Sequence, residues 1–182
     1  MIERDSFIES IEAWCEDSLA TANDCLLGAF VTLRLLTCDF LMPLRRTSWK
    51  GKGSYIQGTE SLLSLITDRV EAWENRWLKA VEADAIKTES CHAFLVRFYR
   101  AHLRLQLFSL PLQDTLFGEY TETSLNIGIL WTAYSSAMNM LDLIVKYPTQ
   151  LYFAQDSIHV MTAYSAAFLV KVRPRFLLWR VG

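Results

Sequence analysis

The sequence holds four cysteines, Cys15, Cys25, Cys38 and Cys91, set 10, 13 and 53 positions apart, and no C-x-x-C pair. Zinc fingers, ribbons and clusters use such pairs to bring thiolates to one ion, so the spacing argues against cysteine-held zinc. Glycine and proline are also scarce, seven and four residues, which argues against a disordered or linker-rich chain. A strong excess of either charge is missing, with 18 Lys and Arg against 20 Asp and Glu. A net charge of −2 gives the molecule no overall pull toward nucleic acid, and a DNA-binding role would need a local patch. The first ten residues, MIERDSFIES, are acidic and lack the basic-then-apolar order of a secretory signal. The thiols are therefore expected to be reduced, buried or half-buried small hydrophobes in an intracellular protein. G-x-S-x-G, H-E-x-x-H and glycine-rich phosphate loops are absent as well.

What is present is apolar and helical. Of 182 residues, 52% are hydrophobic and 13% aromatic, enough for one domain with a sizeable core. Ser6-x-x-Glu9 has the form of a capping box, and behind it Phe7, Ile8, Ile11, Trp14, Cys15 and Leu19 recur at helical steps. Thr21, Asn23 or Asp24 caps a second helix, which is expected to end before Pro43. Residues 45 to 58, RRTSWKGKGSYIQG, carry Arg45, Arg46, Lys50 and Lys52 beside Trp49 and Tyr55, and read as a loop. A solvated connector and a weak phosphate-contacting patch both suit that composition.

From Thr59 the helical period returns. Leu62, Leu63, Ile66, Val70, Trp73, Trp77 and Val81 form one stripe. Trp73 and Trp77 lie one turn apart, and either line a ligand pocket or anchor the helix to a neighbour. In the next helix Arg97, Arg100 and Arg104 share a face, which meets an acidic partner, lies in solvent or pairs with Glu71 or Glu74. Pro111 is expected to kink or end this helix near Leu110. Ser124 to Val145 has one charge, Asp142, and the length of a membrane span. Its polar residues, the mean hydropathy of +0.16 and the lack of anchors at both ends favour a buried helix of a bundle.

Tyr147-Pro148 is expected to close that helix, and Asp156 or Ser157 to start the last one, over about 157 to 172. Apolar residues fall on every side of it until Lys171, and Pro174 is expected to stop it, so it reads as a core helix.

The run Ala154-Gln155-Asp156-Ser157, followed by Met161, Tyr164, Ala166, Ala167, Phe168, Leu169 and Lys171, resembles the late segment of the fungal-specific transcription factor regulatory domain, or middle homology region. Agreement is looser in the preceding helix and around Trp73 and Trp77. In that family the domain follows a six-cysteine zinc cluster, which this sequence does not contain, so no cofactor is expected. The resemblance implies a nuclear regulatory module, inhibitory or effector-responsive, that takes a protein partner or a small-molecule effector without itself reading DNA. Asp156, Ser157, Met161, Tyr164, Ala167, Phe168, Leu169 and Lys171 would be its structural motif. It also implies that the chain is a piece of a longer domain, and apolar surface uncovered in such a piece predicts self-association.

For chemistry the sequence has two acid-to-histidine steps, Glu89-x-x-His92 and Asp156-x-x-His159. With further glutamates such as Glu9, Glu12 or Glu71 on facing helices they would make a di-metal carboxylate bundle. Those acids flank the apolar stripes instead, and capping accounts for Glu89 and Asp156. His102 lies among leucines and arginines. No enzyme is expected. The alternatives are a helical small-molecule-binding or di-metal protein and a membrane protein with one or two spans. The expected fold is all-α: one bundle-like domain of about six helices over 1–182, with 24–42, 124–146 and 157–172 central.

Overall fold

Thr21 opens the first long helix with a reciprocal cap. Its hydroxyl accepts the Asp24 N–H at 3.3 Å, while the Asp24 carboxylate accepts the Thr21 N–H and hydroxyl at 2.9 and 2.8 Å, as in a capping box. These bonds hold the Asp24 carboxyl below its ordinary range. The computed structural model describes residues 6–49, 55–82, 91–112, 127–151 and 156–181. Its helices are α1 (Ser6–Glu9), α2 (Ile11–Cys15), α3 (Ala22–Trp49), α4 (Tyr55–Glu82), α5 (Cys91–Ser109), α6 (Ile127–Lys146), α7 (Pro148–Leu151) and α8 (Asp156–Val181), with a 3-10 turn at Leu110–Leu112. Among the described residues there is no strand, and the fold is an all-α bundle.

Two prolines act where the sequence places them. The 3-10 turn containing Pro111 ends α5, and α6 ends at Lys146, immediately before Tyr147-Pro148. Two others do not. α3 runs through Pro43 to Trp49, and α8 runs through Pro174 to Val181. An internal proline forfeits one hydrogen bond and costs about 3 kcal/mol. Burying Phe40 and Leu44 on either side of Pro43 contributes about 1.5–3 kcal/mol each, so packing outweighs the break. The expected loop at 45–58 is corrected in the same way: 45–49 belong to α3 and 55–58 to α4, while 50–54 lie outside the described residues. The expected first helix is two short ones broken at Ser10, whose side chain makes no cap bond. Of its stripe Ile11 is buried, whereas Trp14 and Leu19 are exposed.

The centre of the bundle is α5, not any of the three helices expected there. Ala93, Phe94, Val96, Phe98, Ala101, Leu103, Leu105, Leu107 and Phe108 are all buried, and the helix touches α3, α4, α6 and α8. Its arginine face is turned inward onto α4. Arg100 Nε lies 2.9 Å from Glu74, Arg100 and Arg104 reach Glu71 at 3.7 and 3.8 Å, and Arg97 meets Glu82 at 2.9 Å. Paired charges let a helix that reads as amphipathic sit inside. Conversely α8 is half exposed: Ile158, Ser165, Phe168 and Val172 are buried, but Val160 and Val170 are 68% and 75% exposed. Over 156–173 its apolar residues run round the whole circumference, yet the buried side chains described there lie on one side, and the helix packs on α6 and α5. α3 and α6 likewise each leave one side open, at Leu27 and at Trp131.

Candidate functional site

α4 is fixed to α3 by its two tryptophans. Both are buried. The Trp73 Nε1–H donates to Ala29 O at 3.2 Å and to Thr32 Oγ1 at 3.0 Å. Thr32 in turn donates to the carbonyls of Gly28 and Ala29. Trp77 lies one turn on, with its six-membered ring against Gly28, and its Nε1–H has no hydrogen-bond partner. That close approach needs a residue without a Cβ at position 28.

A groove of about 400 Å³ runs above these rings between α3 and α4, lined by Leu35, Leu36, Asp39, Arg69, Trp73 and Trp77 among others. Its volume is in the range of small-molecule sites. The short α2 closes one end. Arg76 of α4 holds Glu12 at 2.7 Å and Glu16 at 3.0 Å, and its guanidinium lies 5.7 Å from the Trp77 ring centroid. Beyond this clasp is a second recess of about 310 Å³ with Cys15, Lys79 and Ala80 in its wall. Burial, then the neighbouring Cys25, pushes the Cys15 thiol up, so it is a poor nucleophile. The groove therefore offers an apolar floor with Arg69 and Asp39 among its charged lining, while Arg76 is already paired with Glu12 and Glu16 and the Trp77 N–H is buried beneath. This suits reversible binding of a small, largely apolar molecule.

The motif residues of α8 lie elsewhere. Asp156 is its first residue and exposed; Ser157 is 3.4 Å from the Tyr99 hydroxyl. The Tyr164 hydroxyl pairs with Ser109 Oγ at 3.0 Å, and its ring stands edge-on to His102 at 6.3 Å. Phe168 is buried, Met161 and Leu169 are half-buried, and Ala167 and Lys171 are exposed. Of these residues, Ser157 and Tyr164 bond α8 to α5, and none lines the groove at Trp73 and Trp77.

The di-metal constellation is not assembled among the described residues, where no three of His, Cys, Asp and Glu gather. Glu12 and Glu71 are in ion pairs and His159 is exposed, while Glu89 lies outside the described residues. Of the basic stretch, Lys50 and Lys52 lie outside them too. No helix among them is long and apolar enough to cross a membrane. Sequence reasoning missed the clasp. Its signal was there in Glu12 and Glu16, one turn apart on the face that also carries Cys15. No protein-family model, no curated protein and no solved structure matches the chain.

Proposed function

We propose that the chain is an effector-responsive or inhibitory module of a transcription regulator, of the fungal zinc-cluster kind that residues 154–171 resemble. In its parent protein it acts in the nucleus and does not itself read DNA. The observation that carries this reading is the tryptophan-floored groove closed by a weakly held helix. Exposed ion pairs such as Arg76–Glu12 contribute only about 0–1 kcal/mol each, so a ligand that binds better with α2 displaced can shift the equilibrium toward that state. The displaced α2 changes which surface a protein partner or a neighbouring domain meets, and this is the regulatory step.

The test is a fusion of the chain between a heterologous DNA-binding domain and an activation domain. The wild-type chain is expected to lower reporter output, and Arg76→Ala, which unclasps α2, to restore part of it. Equal output from fusions with and without the chain, at equal protein levels, overturns the reading. The coding sequence upstream provides a second check, since a six-cysteine cluster with C-x-x-C pairs is expected there.

The groove also supports a plain small-molecule-binding protein. A ligand that quenches Trp73 and Trp77 fluorescence while reporter output stays flat would favour that alternative.

A further inference from the structure

α6 has two apolar sides. Leu130, Ala133, Ala137, Met140 and Leu143 are buried against the rest of the bundle. The outward side carries Ile127, Trp131, Tyr134, Met138, Leu141 and Val145, and steps of four, three, four, three and four residues separate them. That is the 4-3 repeat of a coiled-coil seam, kept for the whole length of the helix. Trp131 is 59% exposed and Val145 79%; Ile127 and Met138 are exposed as well, and Tyr134 and Leu141 half-buried. The Trp131 ring stacks on Tyr134 with centroids 5.7 Å apart. A contiguous apolar stripe of this kind, with an aromatic pair in it, marks an interface more than scattered surface residues do.

We infer that this side of α6 pairs with α6 of a second copy of the chain, antiparallel about a two-fold axis near Ser135. An isologous contact requires a self-complementary stripe, and this one meets the requirement. Ile127 falls opposite the partner's Val145, Trp131 opposite the partner's Leu141, and Tyr134 opposite the partner's Met138. Each layer sets a larger or stiffer side chain against a smaller or more pliant one. The flank nearest the axis is small, with Gly128 and Ser135, so the backbones can approach.

Charge decides the direction. In the antiparallel register Asp142, exposed on the same flank, comes beside the partner's Gly128, in the first turn of that α6. There the positive end of the helix dipole favours a carboxylate. A parallel pair would set Asp142 against the partner's Asp142 and Trp131 against the partner's Trp131. α8 offers a rival stripe at Val160, Ala163, Ala167 and Val170, but its small side chains would bury much less area.

The test uses the whole chain. Sedimentation at about micromolar concentration is expected to give twice the 21.0 kDa chain mass. Trp131→Lys and Met138→Glu are each expected to weaken the dimer by more than about tenfold, with helical circular dichroism unchanged. Oxidation of a mixture of Gly128→Cys and Asp142→Cys chains is expected to yield a 128–142 linked peptide by mass spectrometry, whereas Gly128→Cys alone gives no 128–128 link. A monomer, a dimer unaffected by both seam substitutions, a dimer lost instead through Val160→Glu, or a 128–128 link overturns the inference.

Discussion

Gly28 and Trp77 are in contact through the one place on α3 that has no side chain: a Cβ on Gly28 would stand 2.7 Å from Trp77 Cη2 and 2.5 Å from Cys15 Sγ. The indole is enclosed and cannot retreat, whereas the thiol sits on the short α2. Gly28→Ala gains up to about 1 kcal/mol of helix propensity but overpacks a filled site, at about 1–3 kcal/mol. We expect net destabilisation of about 1 kcal/mol, accompanied by loosening of α2. Urea unfolding measures the first, and amide exchange over residues 11–15 the second.

Trp73 and Trp77 differ in what their nitrogens do, and this sets an order. Phenylalanine leaves a similar gap at either site. At Trp73 it also removes the donor to Ala29 O and Thr32 Oγ1, at about 1 kcal/mol more. At Trp77 it removes an N–H with no partner, whose burial is itself unfavourable. Trp73→Phe should therefore be the costlier change in chemical denaturation. The reverse order would mean that the Trp77 N–H has an acceptor in solution.

The arginine seam between α5 and α4 should behave unlike the clasp on α2. Glu74 and Arg100 expose only 15% and 19% of their side chains. Burial pushes the Glu74 carboxyl up against the pull of Arg100, and lowers the Arg104 guanidinium. Glu74→Ala leaves Arg100 and Arg104 to share Glu71 and is expected to cost about 2–3 kcal/mol. Glu12→Ala, at the exposed clasp, should cost under about 1 kcal/mol. A double-mutant cycle on Glu74 and Arg100 measures the coupling directly.

His102 makes stability fall in acid. Burial holds its imidazole at about 4 against an ordinary 6.5, and Nδ1 has no hydrogen-bond partner. Between those values the unfolded chain takes up a proton that the folded chain refuses. Stability from this group is complete above 6.5 and falls as pH drops toward 4, by at most about 3 kcal/mol. His102→Leu is expected to flatten the profile between about pH 6.5 and about pH 4.5. An unchanged slope would assign the acid sensitivity to other groups.

The sequence announces local events well. The Thr21–Asp24 cap, the stop at Pro111 and the break at Tyr147-Pro148 each depend on residues within a turn of one another, where sterics and capping act alone. The pairing of Arg100 with Glu74 was also within reach, because complementary charges stood at helical spacing on successive helices. Which helix lies innermost was not. α8 reads as interior by composition, but composition counts apolar residues and not the neighbours available to cover them. α5 reads as a surface helix because its arginines hide their partners until α4 is in place. The groove depends on Arg76 reaching Glu12, 64 positions back along the chain, a distance over which periodicity carries no information.

α5 is a spine with different ribs on its two flanks: α3 and α4 on one, α6 and α8 on the other. The two sets of ribs meet chiefly through it, so neither half can keep its shape when the spine melts, and the bundle should unfold as a single cooperative unit. A tilt imposed on the α4 flank has α5 as its route to the outer side of α6.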